Sequence, residues 1–109
     1  MPGYFELKKS KEQYMFNLKA ANNEIILTSE LYKTKESALG GIESVKKNSA
    51  SDANFERKTA KDGSHYFSLK SKDNAQTLGR SEMYKTAASM ENGIKSVIAN
   101  GPGAKVKEV

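Results

Sequence analysis

Between Tyr14 and Ala20 the side chains alternate strictly. Tyr14, Phe16, Leu18 and Ala20 share one side, and Met15, Asn17 and Lys19 the other. The alternation returns as His65, Phe67 and Leu69 against Tyr66, Ser68 and Lys70. A period of two over such a stretch predicts a strand with one buried face. Further along, the period lengthens. Ala38, Ile42 and Val45 fall at i, i+4 and i+7, and Met90, Ile94 and Val97 repeat that spacing, the stripe of a helix docked by one face. Shorter alternating runs predict strands at 4–9 and 55–59, at 24–29 and 76–81, and a last strand within 104–109.

The punctuation agrees with this reading. Lys11-Glu12-Gln13 and Lys61-Asp62-Gly63-Ser64 separate the first and second strands of each set, and Asp-Gly is a strong hairpin signal. Asn22-Asn23 and Asp73-Asn74 separate the second and third, and Asn tolerates positive φ better than most residues. Lys72-Asp73-Asn74-Ala75 is longer than its counterpart Ala21-Asn22-Asn23, which predicts a bulged hairpin in the second set. Thr34 and Thr86 stand as N-caps before the helices. Gly41 and Gly93 sit beside the buried isoleucines, where glycine costs a helix about 1 kcal/mol against Ala. Their recurrence predicts close approach of helix and sheet. Asn48 and Asn100 are read as left-handed residues just past the helix ends.

The two sets are copies. Phe5-Glu6-Leu7-Lys8 returns as Phe55-Glu56-Arg57-Lys58, and Ser29-Glu30-Leu31-Tyr32-Lys33-Thr34 as Ser81-Glu82-Met83-Tyr84-Lys85-Thr86. Gly41-Ile42-Glu43-Ser44-Val45 returns as Gly93-Ile94-Lys95-Ser96-Val97. The offset drifts from 50 to 52, so the second copy carries two insertions. Half of a 109-residue chain is marginal for a core of its own. The expectation is therefore an α+β fold of two tandem βββα(β) repeats, about 4–52 and about 54–109. They form one pseudo-twofold-symmetric domain, an antiparallel sheet with two helices packed on it. Its core should hold Phe5, Phe16, Leu18, Ile26, Ala38, Ile42 and Val45, with Phe55, Phe67, Leu69, Leu78, Met90, Ile94 and Val97.

These repeated segments, with Ala20-Ala21-Asn22-Asn23-Glu24 and Lys46-Lys47-Asn48-Ser49-Ala50, resemble the YegP-like family of small bacterial proteins of unknown function. The resemblance covers nearly the whole chain. It implies a twice-repeated β(3)-α-β unit in one sheet, with exchanged C-terminal strands, and a covalently linked pseudo-dimer that is a monomer in solution. It supplies no activity, substrate or catalytic residue.

Charge and chemistry narrow the function classes. The net charge is +5. Residues 1–50 hold eight Lys against six Glu, and residues 51–109 ten Lys and Arg against seven Asp and Glu, so the excess is spread over both halves. With no Cys and one His, neither a thiolate zinc site nor a Cys nucleophile can form. No phosphate-binding glycine loop or metal-binding motif occurs. No cofactor and no metal are expected. His65 stands where the first copy has Tyr14, which favours packing over proton transfer. Glu30 and Glu82 would form a catalytic carboxylate pair only if brought within about 5–10 Å. No apolar run approaches the ~18 residues of a membrane span, and Met1-Pro2-Gly3-Tyr4-Phe5-Glu6 has no leader character. The expected compartment is the cytoplasm.

Two polar groupings are candidate binding surfaces. Lys8, Lys19, Lys58 and Lys70 should share the sheet face away from the helices with Tyr66, Met15 and Tyr4, a composition that suits single-stranded nucleic acid. Glu6 and Glu56, interleaved there, count against it. Tyr32-Lys33 and Tyr84-Lys85 could form twin loops with a flat anchor and an anion contact, although Thr capping and Tyr packing explain the same residues. The leading expectation is a non-enzymatic interaction or housekeeping protein with an unidentified protein partner. A nucleic-acid binder acting through the sheet face is the alternative.

Overall fold

The computed structural model describes residues 3–109. Met1 and Pro2, part of the stretch inspected for leader character, lie outside the described residues. The chain runs β1 (Tyr4–Ser10), β2 (Gln13–Lys19), β3 (Ile25–Ser29), α1 (Lys35–Asn48), β4 (Phe55–Thr59), β5 (His65–Lys70), β6 (Thr77–Arg80), α2 (Ala87–Asn100) and β7 (Lys105–Glu108). A 3₁₀ turn, Asp52–Asn54, leads into β4.

The strands form one sheet in the order β4-β5-β6-β3-β2-β1-β7. Neighbours are antiparallel except β7, which lies parallel to β1. β3 and β6 meet at the middle, pairing Thr28 with Arg80 and Ser29 with Gly79. The pseudo-twofold axis passes between them.

Alternation sends Phe5, Phe16, Leu18, Phe55, Phe67 and Leu69 to one face, where both helices lie. Every expected core residue is buried there, joined by Leu7, Leu27 and Ala104. Phe5 meets Phe16 edge-on at 5.7 Å, and Phe55 meets Phe67 at 5.6 Å. Each fully buried ring contributes about 1.5–3 kcal/mol. The mid-helix glycines do mark close approach. A Cβ on Gly41 would stand 2.7 Å from Tyr32 Cζ and 3.1 Å from Phe16 Cε2, and one on Gly93 would stand 2.8 Å from Tyr84 Cζ.

One expectation is extended and another corrected. The register shift lies in both copies, between Leu18 and Lys19 and between Leu69 and Lys70. It leaves Ile26 and Leu78 unpaired, and both turn into the core. The extra residue of copy two is taken up in the loop instead. There Ala75 N–H donates to Ser71 O, four residues back, whereas Asn23 N–H donates to Ala20 O, three back. Asn48 and Asn100 are the last helical residues rather than left-handed caps. Each amide donates to a serine carbonyl four residues back, Ser44 and Ser96. Their Oδ1 atoms accept Lys72 N–H at 2.8 Å and Gly3 N–H at 2.9 Å. These asparagines tie the helix ends to neighbouring segments.

At the axis, residues meet their own counterparts. A Cβ on Gly79 would stand 3.0 Å from Leu27 Cγ, and one on Gly101 3.1 Å from Ser49 Cβ. At an offset of 52, Leu27 corresponds to Gly79 and Ser49 to Gly101.

Candidate nucleic-acid interface

The opposite sheet face carries no helix. Register partners share a face, so pairing traces a row across all seven strands: Lys107, Glu6, Asn17, Thr28, Arg80, Ser68, Glu56. Six inter-strand steps of about 4.8 Å make it about 29 Å long. Flanking the row lie Tyr4 beside Lys19 and Lys105, Lys8 beside Met15, and Lys58 beside Tyr66. The face therefore gathers Lys8, Lys19, Lys58, Lys70, Arg80, Lys105 and Lys107, with Glu6, Glu56 and, beside Arg80, Glu30 as the acids among them.

Glu6 and Glu56 are each neutralised in place. Glu6 is held by Lys19 at 3.1 Å and Lys8 at 3.3 Å. Glu56 is held by Lys58 at 3.0 Å and Lys70 at 3.2 Å. The Lys19 hydrogen bond above all holds the Glu6 carboxyl below its ordinary range, and Lys58 and then Lys70 do the same to Glu56. Each trio keeps one surplus positive charge. Asn17 and Ser68 stand in the row between the trios but are buried. Arg80 sits near the axis, exposed, with Glu30 3.9 Å away. Lys107 Nζ stands 5.7 Å from the Tyr4 ring centre.

The candidates thus divide. Lys8, Lys19, Lys58, Tyr66 and Lys70 come together on this face. Tyr32, Lys33, Tyr84 and Lys85 do not join them. Tyr32 and Tyr84 are half-buried and stack on Phe16 at 6.1 Å and Phe67 at 6.4 Å, beneath the helix glycines. Burial raises both phenol pKa values. Their backbones pair with Tyr14 and His65. Thr34 and Thr86 each accept the N–H three residues on, at 3.0 Å. Ser29 Oγ accepts Phe16 N–H at 2.8 Å, and Ser81 Oγ accepts Phe67 N–H at 3.0 Å. Lys33 and Lys85 are exposed. Glu30 and Glu82 leave the antiparallel β3–β6 pair at opposite ends, four residue steps or about 13 Å apart along the strand. Among the described residues, no three His, Asp or Glu side chains gather as a metal site, and no helix is long and apolar enough to cross a membrane.

Sequence reasoning missed Arg80, Lys105 and Lys107. The alternation Lys105-Val106-Lys107 puts both lysines on one side, but nothing local says that β7 joins β1 and so turns them toward Glu6.

With this geometry in view, comparison with known proteins is informative. The family described as "Domain of unknown function (DUF1508)" matches residues 9–56 and again residues 60–108. The chain belongs to this family. The two DUF1508 matches correspond to the two repeats. A UPF0339 protein of Bordetella pertussis is 60% identical over 108 residues, covering 99% of this chain and 96% of that one. UPF0339 protein YegP of Escherichia coli is 53% identical over 109 residues, with 99% and 98% covered. The solution NMR structure of Escherichia coli yegP, a protein of unknown function, superposes with TM-score 0.92 at 53% identity, covering 99% of this chain and 93% of that one. That of a UPF0339 protein from Shewanella oneidensis also gives TM-score 0.92, at 48% identity, with 99% and 92% covered. These DUF1508 relatives carry no described activity, and no catalytic family is indicated.

Proposed function

We propose that this protein is a non-enzymatic binding module whose open sheet face takes single-stranded nucleic acid. The observation that supports this most is the gathering of cationic side chains on one face, with Tyr4, Met15 and Tyr66 among them. Phosphates need dispersed cations, and unpaired bases need flat apolar surface between them. Glu6 and Glu56, which argue against the reading in sequence, are each enclosed by two lysines. Thr28, half-buried, supplies a hydroxyl between the two halves of the track. The module acts as a monomer, because the two repeats already form a covalent pair and one chain completes the face. We place it in the cytoplasm, which suits a chain with no cysteine to oxidise.

The test is an amide-resolved NMR titration with short single- and double-stranded oligonucleotides, at low and near-physiological salt. The expected result is shifts centred on Lys8, Lys19, Lys58, Tyr66, Lys70 and Arg80, stronger with single strands and still visible at the higher salt. Tyr66→Ala should weaken binding by about 1–3 kcal/mol, the usual worth of one stacked base. No shifts, or diffuse ones that vanish with salt, would remove the proposal.

A further inference from the structure

The outer ends of the sheet are not equivalent. β1 is covered by β7, with Phe5 opposite Val106, Glu6 opposite Lys107 and Leu7 opposite Glu108. β4 is terminal in the sheet, and its outer side has no strand partner among the described residues. The reason is connectivity. After α2 the chain has room to turn and run along β1, whereas after α1 it passes through Asp52–Asn54 straight into β4. At the offset of 50, the place that β7 takes on β1 corresponds to residues 54–57 on β4.

The surroundings of that empty place specify what fits. Phe55, counterpart of Phe5, presents an apolar position to the second residue of an incoming parallel strand. Glu56, counterpart of Glu6, faces the third from the open side. The fourth residue would lie on the helix side opposite Arg57. There Asp52 and Glu91 both clamp the guanidinium, each at 2.8 Å, so two carboxylates surround one cation. A basic residue would balance them. The chain's own C-terminus carries the opposite charge at this position. Glu108 is at home on β1, where Lys35 Nζ reaches it at 2.7 Å, but the counterpart of Lys35 is Ala87. On β4, Glu108 would meet Asp52 and Glu91, and the one further cation that acts on Glu91, Lys95, does so less than Arg57. We propose that the outer edge of β4 is a docking slot for an extended segment of another protein, running parallel to β4 as an eighth strand. It carries an apolar residue over Phe55 and a basic residue two places later against Asp52 and Glu91. Backbone hydrogen bonds supply affinity in such strand addition, and alternate side chains supply selectivity. The charge at the fourth position keeps this chain's own C-terminus out of the slot.

The experiment titrates the isotope-labelled full-length chain with two capped synthetic peptides. One has the sequence of residues 103–109, and the other the same sequence with Glu108→Lys. The expected result is that the Lys peptide shifts amides of Phe55–Thr59 at about tenfold lower concentration than the native-sequence peptide, a difference near 1.4 kcal/mol. The double variant Asp52→Asn, Glu91→Gln should erase that preference while leaving the β4 amides responsive. The proposal is overturned by silence at β4 with both peptides, by equal response to both, or by shifts confined to β1 through displacement of β7. Concentration-dependent broadening of β4 without peptide would also overturn it, assigning the edge to a second copy of this chain. Oligonucleotide binding is read separately on Lys8, Lys19, Tyr66, Lys70 and Arg80, which lie outside Phe55–Thr59, so the two proposals fail independently.

Discussion

At one end of the sheet the chain buries a leucine, and at the other it clamps an arginine. Leu7 on β1 is 1% exposed, and Leu39, on α1 above that end of the sheet, packs half-buried against the core. The same two positions in the second copy are Arg57 and Glu91, joined by a hydrogen-bonded ion pair. β7 accounts for the difference. Where a strand covers the edge, apolar side chains are removed from water and gain its full benefit. Where the edge is bare, a charged pair tolerates water and discourages indiscriminate pairing. One repeat sequence has thus been adjusted twice, at strand and helix together, to the presence or absence of a neighbour.

Exchanging residues between the two ends breaks the comparison. The largest effect is expected from Leu7→Arg, which places a cation under β7 with Leu39 rather than a carboxylate above it. The loss should be about 4 kcal/mol, as for an uncompensated buried charge. Urea unfolding would measure it, and a loss below about 1 kcal/mol would mean that β7 does not seal this end. Next comes the axis. Gly101→Ser brings a second hydroxymethyl against Ser49 and should cost about 1–3 kcal/mol by overpacking. Adding Ser49→Gly should return most of it, and a double-mutant cycle without coupling would show that the two residues do not share that space.

The smallest effect is expected from Arg57→Leu, at most about 1 kcal/mol at neutral pH, because the clamp is partly exposed. Its pH dependence is the sharper readout. Arg57 holds the carboxyls of Asp52 and Glu91 below their ordinary range. Their contribution is complete above the unfolded carboxylate range, near 4, and disappears as pH falls through the lower folded values. The stability gap between wild type and Arg57→Leu should therefore be present at neutral pH and close in strong acid. A gap independent of pH would show that the clamp contributes through packing alone.

Most of the fold was legible because each element carries its own period and the repeat states each period twice. Phe16 and Leu18 could only be a buried strand face, and Thr34 with the Ala38, Ile42, Val45 stripe could only open a helix. Leu27 was missed because the bulge breaks alternation. It turns Ile26 and Leu27 inward together, and its cause lies in pairing with β2 rather than in β3 itself. The candidate face was legible in Lys8, Lys19, Lys58, Tyr66 and Lys70, whose parity follows from local alternation. Lys107 and the Arg57–Glu91 clamp were not, since each depends on which strand stands beside which, a matter of sequence-distant contacts.

The contacts of Leu27 with Gly79 and of Ser49 with Gly101 carry a consequence for partner choice. An assembly of identical units must place like against like at its axis: two leucines would collide there, and two glycines would leave a hole. Here Leu27 and Ser49 each find a glycine, and the long Arg80 meets the shorter Thr28, so the two halves are complementary castings rather than copies. Cut apart, each half would recognise the other better than it recognises itself. What looks like a duplicated message is, where these counterparts touch, a matched pair.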